Sequence, residues 1–389
     1  MKAYYNLIFI PLLFPFLGYF IPMPEQLLGF QLTGISWVYV FLVSLYFLFF
    51  ALKTKKNKFP IVYWLPWIVY LVGYIIYDFS FLGLQLTLQY LEFLMVGIIF
   101  SKLVLSDQDL LKIFNSLKWI VLIIGVPSII VKVILNGWPL YSANYVMTFS
   151  IIAAISLNIF YIIKQKKYFF IYLILFLFPI MEKTRMAILI FISLLLFNFN
   201  KIGNFRRTRV IALVAILSLA VFYSESFQKK TFHSGSGEIK DLYQRSNNLN
   251  DRGRTFWREK LQNGINANPL FGNGPRKERD VILSFQNEIT EAHNDYISVT
   301  YNYGYIGLAL LLFGFIATFF HLYTYRKKNY FISDKILWSS SILLLFCFFI
   351  YMFTENILKY TFFYPNILFF MIGTYYSRIN TINRINNVL

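Results

Sequence analysis

Long apolar runs recur along this chain and constrain its fold more than any other feature. The 389 residues are 58% hydrophobic and 14% charged, so polar side chains are too few to cover a water-soluble core. A helix of about 20 mainly apolar residues can cross a bilayer because it pairs its own backbone groups. The sequence therefore predicts an all-α, polytopic membrane protein. The predicted spans are 4–22, 32–52, 60–77, 84–104, 117–136, 144–163, 168–182, 185–200, 210–225, 297–324, 334–353 and 360–377.

Basic clusters between these twelve runs predict the topology. If Met1 is cytoplasmic, the clusters at 53–58, 164–167, 201–209, 325–328 and 378–387 all fall on the inner side. Of the 36 Lys and Arg residues, 21 lie in inner segments and 4 at outer span ends, while 11 lie in 228–296. This asymmetry follows the positive-inside rule, so the formal charge of +18 reports topology and argues against nucleic-acid binding. The first run lacks a small-residue cleavage pattern, and we expect it to remain as span one.

One long hydrophilic segment divides the spans into two groups. The expected organisation is nine transmembrane helices in 1–225, an extracytoplasmic loop in 226–296, and three further spans with a cytoplasmic tail in 297–389. In the loop, "RTFWREKLQNGI" places Trp257, Leu261 and Ile265 on one stripe of a helix, which we expect to lie in the membrane interface. The following "NPLFGNGP" predicts a helix end and a tight turn.

Arginine dominates the residues that could carry chemistry on the predicted outer face. Carboxylates paired as in glycosidases and His/Glu spacings typical of a metal site are not apparent. Guanidinium groups donate paired hydrogen bonds to phosphate oxygens, so such a cluster suits a lipid-linked diphosphate. A histidine beside them could take or orient a hydroxyl proton. The candidates are Arg185, Arg252, Arg254, Arg258, Arg276, Arg279 and His293.

Structural interpretations of the same residues stay open at this point. Arg185 could snorkel at a helix end, and the arginines around Trp257 could anchor an interfacial helix. His293 could simply begin a helix. The tyrosines of "YNYGY" at 301–305 fit an aromatic belt at the membrane surface.

Four motifs in order resemble the O-antigen ligase and polymerase superfamily of bacterial envelope glycosyltransferases. They are "TRMAILIF", "RGRTFWREKLQ", "NPLFGNGP" and "AHNDYISVTYNYGYIGL", within about 181–312. The resemblance implies an inverting enzyme that uses glycans on undecaprenyl diphosphate, without metal or other cofactor. It implies catalytic roles for His293, Arg185 and Arg254. Members commonly place the loop arginine four residues before the tryptophan, whereas Arg254 is three before and Arg252 five before, so both stay candidates. The residues expected to bind diphosphate or glycan are Arg252, Arg258, Arg276, Asn294 and Trp257.

A repeat-unit polymerase for O-antigen or capsule is the function that this resemblance favours. An O-antigen ligase that transfers the chain to lipid A core is the alternative within the superfamily. A lipid-linked oligosaccharide flippase is the alternative from another class. We expect an inner-membrane protein with both termini in the cytoplasm, a site facing the periplasm, and a chain-length regulator protein as a partner.

Overall fold

The structure is a computed structural model. It describes residues 26–27, 30–53, 59–120, 122–123, 126–127, 143–181, 184–197, 222–243, 250, 254–285, 291–325, 331–359 and 363–386, with three single positions between 212 and 219. At some helix ends it describes only the backbone, as at Arg185 and Arg254.

Helices make up nearly all of the regular structure in these residues, so the predicted all-α class is confirmed. The exception is an antiparallel pair of two-residue strands, Gln26–Leu27 and Phe30–Gln31. The helices are α1 Leu32–Leu52, α2 Leu65–Tyr77, α3 Phe81–Lys102, α4 Asp107–Ile120, α5 Ala143–Ile163, α6 Lys166–Met181, α7 Arg185–Phe197, α8 Glu225–Thr231, α9 Ile239–Tyr243, α10 Arg254–Ala267, α11 Lys277–Leu283, α12 Asp295–Thr324, α13 Ile332–Tyr351 and α14 Tyr364–Asn386. A short 3-10 helix, Ile61–Tyr63, precedes α2.

Three of these helices, α3, α12 and α13, are long and apolar enough to cross a membrane, judged by length and composition. Shorter apolar segments lie in α1, α2, α5 and α7. The predicted span 4–22 lies outside the described residues, and the spans 117–136 and 210–225 lie mostly outside them. The count of twelve spans therefore stays a prediction.

The core of the bundle is built around the packing of α3 against α14. The two helices approach closely at a pair of glycines, because a Cβ on Gly373 would overlap the carbonyl oxygen of Gly97. Aromatic rings fill the space towards α12, with ring centroids of Phe93 and Phe369 4.6 Å apart and those of Phe315 and Trp64 4.8 Å apart. Side-chain hydrogen bonds also join the helices, as between Asn366 Nδ2 and Glu92 Oε1 at 2.7 Å. Small residues and buried polar pairs of this kind are common between membrane helices.

An ion-pair cluster joins α4, α13 and α14 at the predicted inner side. The buried guanidinium of Arg378 contacts Asp334 at the start of α13 and Asp107 at the start of α4, and it also donates to the carbonyl of Leu105 (2.8 Å). α14 continues through residue 386, so much of the predicted basic tail, 378–387, is helical.

α12 is interrupted at Gly304, where the backbone leaves the helical region at φ 69° and ψ −177°. The turn at 269–274 fills the break. On one side, the N–H groups of Asn273 and Gly274 donate to the carbonyls of Tyr301 (2.8 Å) and Asn302 (3.0 Å). On the other side, the N–H groups of Tyr305 and Ile306 donate to the carbonyls of Pro269 (2.8 Å) and Leu270 (3.2 Å). Backbone groups that the break would leave unpaired are therefore satisfied by the turn.

Glycine is required on both sides of this contact. Gly304 and Gly272 have positive φ values of 69° and 79°, which side chains rarely allow. A Cβ on Gly304 would overlap the Leu270 carbonyl, and a Cβ on Gly272 would overlap the backbone of α12 at Gly304. The two glycine motifs of the sequence are thus the two halves of one contact, which we call the glycine interlock (269–274 with 301–306).

Candidate active site

The two arginines expected to be catalytic each open a helix. Arg185 is the first residue of α7, and Arg254 is the first residue of α10. A helix start presents unpaired N–H groups and the positive end of the helix dipole, which together favour a bound anion. A cation at this end is unfavourable unless an anion lies beside it. Both positions therefore suit a phosphate group. Arg252 lies outside the described residues.

The apolar stripe of α10 packs on protein, which corrects the expectation that it faces the membrane. Trp257, Leu261 and Ile265 are all buried. Leu261 and Ile265 form a small core with Ile282 of α11, Ala292 and Tyr301 of α12. The stripe is apolar because the loop has a core of its own. Arg258, on the same helix, is exposed.

The tyrosines predicted as an aromatic belt also divide in the structure. Tyr301 and Tyr303 are buried, and Tyr303 is fully enclosed beside Trp67, with ring centroids 5.6 Å apart. Tyr305, directly after the break, is 51% exposed. The interlock explains this difference, because it turns the first part of α12 into the protein.

His293 stands two residues before α12 and lies between Trp257 and Glu355. Its backbone has a φ of 47°, in the left-handed region that non-glycine residues seldom adopt. Its Nδ1 is 3.8 Å from Glu355 Oε2, and its ring centroid is 6.3 Å from that of Trp257. Its side chain is 36% exposed, so a substrate can reach the imidazole.

Asn294 caps α12 and also ties it to the chain after α13. Its Oδ1 accepts from the N–H of Ile297 (3.1 Å), as an N-cap residue does, and its Nδ2 donates to the carbonyl of Phe353 (3.0 Å). The next residue, Asp295, donates its N–H to the carbonyl of Met352 (2.8 Å). Both polar groups of the Asn294 side chain are thus engaged within the protein. Its substrate-binding role stays a prediction.

A buried ion-pair network lies beside this junction, and Arg276 belongs to it. Arg276 contacts Glu291 Oε1 through Nη1 (3.2 Å) and donates to Gln89 Oε1 of α3 through Nη2 (3.2 Å). Lys359 also contacts Glu291 Oε1, and Asn356 Nδ2 donates to Glu291 Oε2 (3.0 Å). Arg276 and Glu291 are each about 7% exposed. The charge of Arg276 is therefore largely committed to Glu291.

The network perturbs its titratable groups in opposite directions. Burial, with repulsion from Arg276, lowers the pKa of Lys359 to about 7. Burial raises the pKa of Glu278, against the opposing effect of a hydrogen bond from Ser298 Oγ to its Oε1 (2.7 Å). The network thus holds basic and acidic groups close together at the base of the loop.

Several of these partners were not identified from the sequence. Glu355, Asn356 and Lys359 lie in a short outer connection, Glu291 lies just before an apolar run, and Gln89 lies within one. The one signal available was local, because "TENILK" at 354–359 places charges around Ile357 and Leu358, which are fully buried. This pattern does not predict which residues these charged side chains contact.

Part of the chain that holds these residues matches a known protein family. Residues 169–312 match the family model described as O-antigen ligase. This segment runs from α6 to the middle of α12 and contains Arg185, Arg254, His293 and the glycine interlock. This match, over part of the chain, confirms the resemblance to the O-antigen ligase and polymerase superfamily. No curated protein matches the chain. An O-antigen ligase or polymerase type of function is supported, in a bacterial membrane protein.

Proposed function

We propose that the protein is a repeat-unit polymerase. It transfers a glycan from undecaprenyl diphosphate to the non-reducing end of a lipid-linked repeat unit, on the outer face of the inner membrane. The observation that carries this proposal is the position of His293. Its partly exposed imidazole lies against Trp257 and Glu355. His293 belongs to the matched segment, in which two helices begin with arginine.

The diphosphate is bound by Arg185 and Arg254 in this proposal. Arg276 is paired with Glu291, so its charge is already balanced. The starts of α7 and α10 supply N–H donors together with guanidinium groups that stay charged at any working pH. A lipid-linked donor fits this arrangement because its diphosphate lies at the membrane surface while its polyprenyl chain stays in lipid. Twelve spans, with both termini inside, would place these helix starts on the outer side.

The reaction needs one proton acceptor and one stabilised leaving group. The acceptor hydroxyl oxygen attacks the anomeric carbon and loses its proton to His293, while the bond from that carbon to the diphosphate oxygen breaks. The electron pair leaves with the diphosphate, and the arginines stabilise the charge that grows there. Attack from the opposite face inverts the anomeric configuration. Trp257 is buried beside His293, so in this proposal its ring supports the imidazole from the protein side.

A reconstituted elongation assay tests the proposal. Purified protein receives a lipid-linked repeat unit, and the products are resolved by length. We expect a ladder from the wild type and its loss in Arg185→Ala, Arg254→Ala and His293→Ala, each by a factor on the order of 10² or more. Arg258→Ala, which removes an exposed arginine of the same helix as Arg254, serves as the matched comparison and should lose less. Ladders of wild-type length from all three variants would refute the proposal.

The same assay separates the alternatives. The matched family carries the description O-antigen ligase, so a second reaction contains lipid A core as acceptor. A single transfer product that requires this acceptor would assign a ligase. Movement of labelled lipid-linked substrate across liposomes without chain growth would assign a flippase. The role of a chain-length regulator protein stays a prediction that the purified system can test by addition.

A further inference from the structure

The chain that follows α13 is hydrogen-bonded to Asn294 and Asp295 at the start of α12. Met352 accepts from the N–H of Asp295, and Phe353 accepts from the Asn294 side chain. Further along, the N–H of Leu358 donates to Asp295 Oδ2 (2.9 Å). We call residues 352–359 the docking segment.

Glu355 is the residue of this segment that faces His293. Its backbone N–H donates to the carbonyl of Tyr351 (2.9 Å), which continues the hydrogen bonding of α13. Fixed backbone on both sides, at 352–355 and at 293–295, therefore sets how the two side chains meet. The left-handed φ of His293 adds to this, because strained backbone persists where surrounding contacts determine it, and such positions concentrate at functional sites.

The geometry points to Glu355 as the positioning residue for His293, an inference that rests on the proposed function. With substrate bound, the Glu355 carboxylate accepts the Nδ1–H of His293, which leaves Nε2 unprotonated and available for the proton of the acceptor hydroxyl. At 3.8 Å the two atoms are beyond a hydrogen bond, and catalytic hydrogen bonds commonly tighten only when substrate is bound. A carboxylate at this position also stabilises the imidazolium formed after proton transfer.

The contact is specific to one ring nitrogen, so it predicts a defined tautomer. An imidazole without a partner at Nδ1 has no such constraint, since the bond made by one ring nitrogen determines the protonation of the other. Glu355 lies outside the segment that matches the family model, which ends at residue 312. The inference therefore depends on the contacts of this chain alone.

Nitrogen NMR of histidine-labelled protein tests the inference directly. The chain has three histidines, so His293→Gln identifies the His293 signals and His233 and His321 serve as internal references. In the neutral ring of the wild type with bound lipid-linked substrate, we expect the Nδ1–H tautomer to predominate. In Glu355→Gln and Glu355→Ala, we expect this tautomer to lose its predominance. Glu259→Gln, which changes an exposed carboxylate on α10, should leave the His293 signals unchanged.

Kinetics of the same variants separate this inference from the proposed function. We expect Glu355→Gln to lower kcat by roughly 10²-fold with little change in the KM for the donor, and Glu355→Asp to recover part of the rate. If His293→Ala is inactive while Glu355→Gln keeps the wild-type tautomer and rate, the positioning role is refuted and the proposed function stands. If His293→Ala elongates as the wild type does, the catalytic role of His293 is refuted and that of Glu355 with it.

Discussion

Two segments hold the first part of α12, and they do so by different means. The glycine interlock (269–274 with 301–306) uses backbone hydrogen bonds and requires glycine at two positive φ values. The docking segment (352–359) and its neighbours make one backbone hydrogen bond, from Asp295 to Met352, and otherwise use side chains, through Glu291, Asn294 and Glu355. The interlock leaves a glycine pattern that can be read in the sequence, whereas the docking segment leaves only scattered polar residues. Together they fix the position of His293 from two sides.

Breaking the glycine interlock should reduce the stability of the protein more than any of the other changes. We expect Gly304→Ala to prevent stable folding of the loop on α12, because the added Cβ overlaps the Leu270 carbonyl and φ is 69°. The measurement is thermal unfolding in detergent, with the yield of monodisperse protein. Gly73→Ala in α2 is the matched control, since a Cβ there meets no atom within 4 Å. Equal melting of the two variants would contradict the interlock.

Removing the charge of Glu291 should be the next largest effect. Glu291→Gln removes the carboxylate that Arg276 and Lys359 share, and breaking a buried pair from one side costs about 3–5 kcal/mol. Chemical denaturation measures the change in the free energy of unfolding. Glu225→Gln disrupts an exposed pair with Lys229 and should show no measurable change. A neutral result for Glu291→Gln would show that the network does not stabilise the loop.

Truncating one side chain of the α10 stripe tests whether the loop that carries the glycine turn has a core of its own. Leu261 is fully buried, so we expect Leu261→Ala to cost about 2–5 kcal/mol. Leu270→Ala removes the same atoms from a side chain that is 57% exposed and should cost clearly less. Similar losses of stability for both variants would contradict a protein core under the stripe and favour a stripe that faces the membrane.

The smallest expected effect comes from one hydrogen bond within the network. Ser298→Ala removes the donor to Glu278 and should cost about 1 kcal/mol near neutral pH. Because burial raises the pKa of Glu278, its carboxyl contributes stability below its ordinary pKa of 4.5 that is lost as pH rises through the raised value. Ser298 opposes that loss by binding the carboxylate. The cost of Ser298→Ala should therefore be smaller at pH 4 than at pH 7, and a cost independent of pH would contradict this account.

Periodicity and motif spacing predicted the all-α class and the long apolar helices that the structure describes, because burial in lipid or protein demands apolar runs. The same reasoning placed the stripe of Trp257 against lipid, since an apolar stripe does not say which apolar partner covers it. Tyr303 was misassigned for the same reason. Glu355 and Lys359 were missed because their partners, His293 and Glu291, are more than 60 residues away in the chain. Such contacts depend on how α12 and α13 meet, and local sequence does not encode that.

The distance between positions 185 and 293 tests the central claim most directly. Cys347 is the chain's one cysteine, so Cys347→Ser with Arg185→Cys and His293→Cys allows two spin labels and a pulsed electron spin resonance distance. If Arg185 and His293 act in one active site, the distance will fall well below the hydrocarbon thickness of about 30 Å. A distance of about 30 Å or more would place the two residues at opposite leaflets or in separate sites and contradict the account.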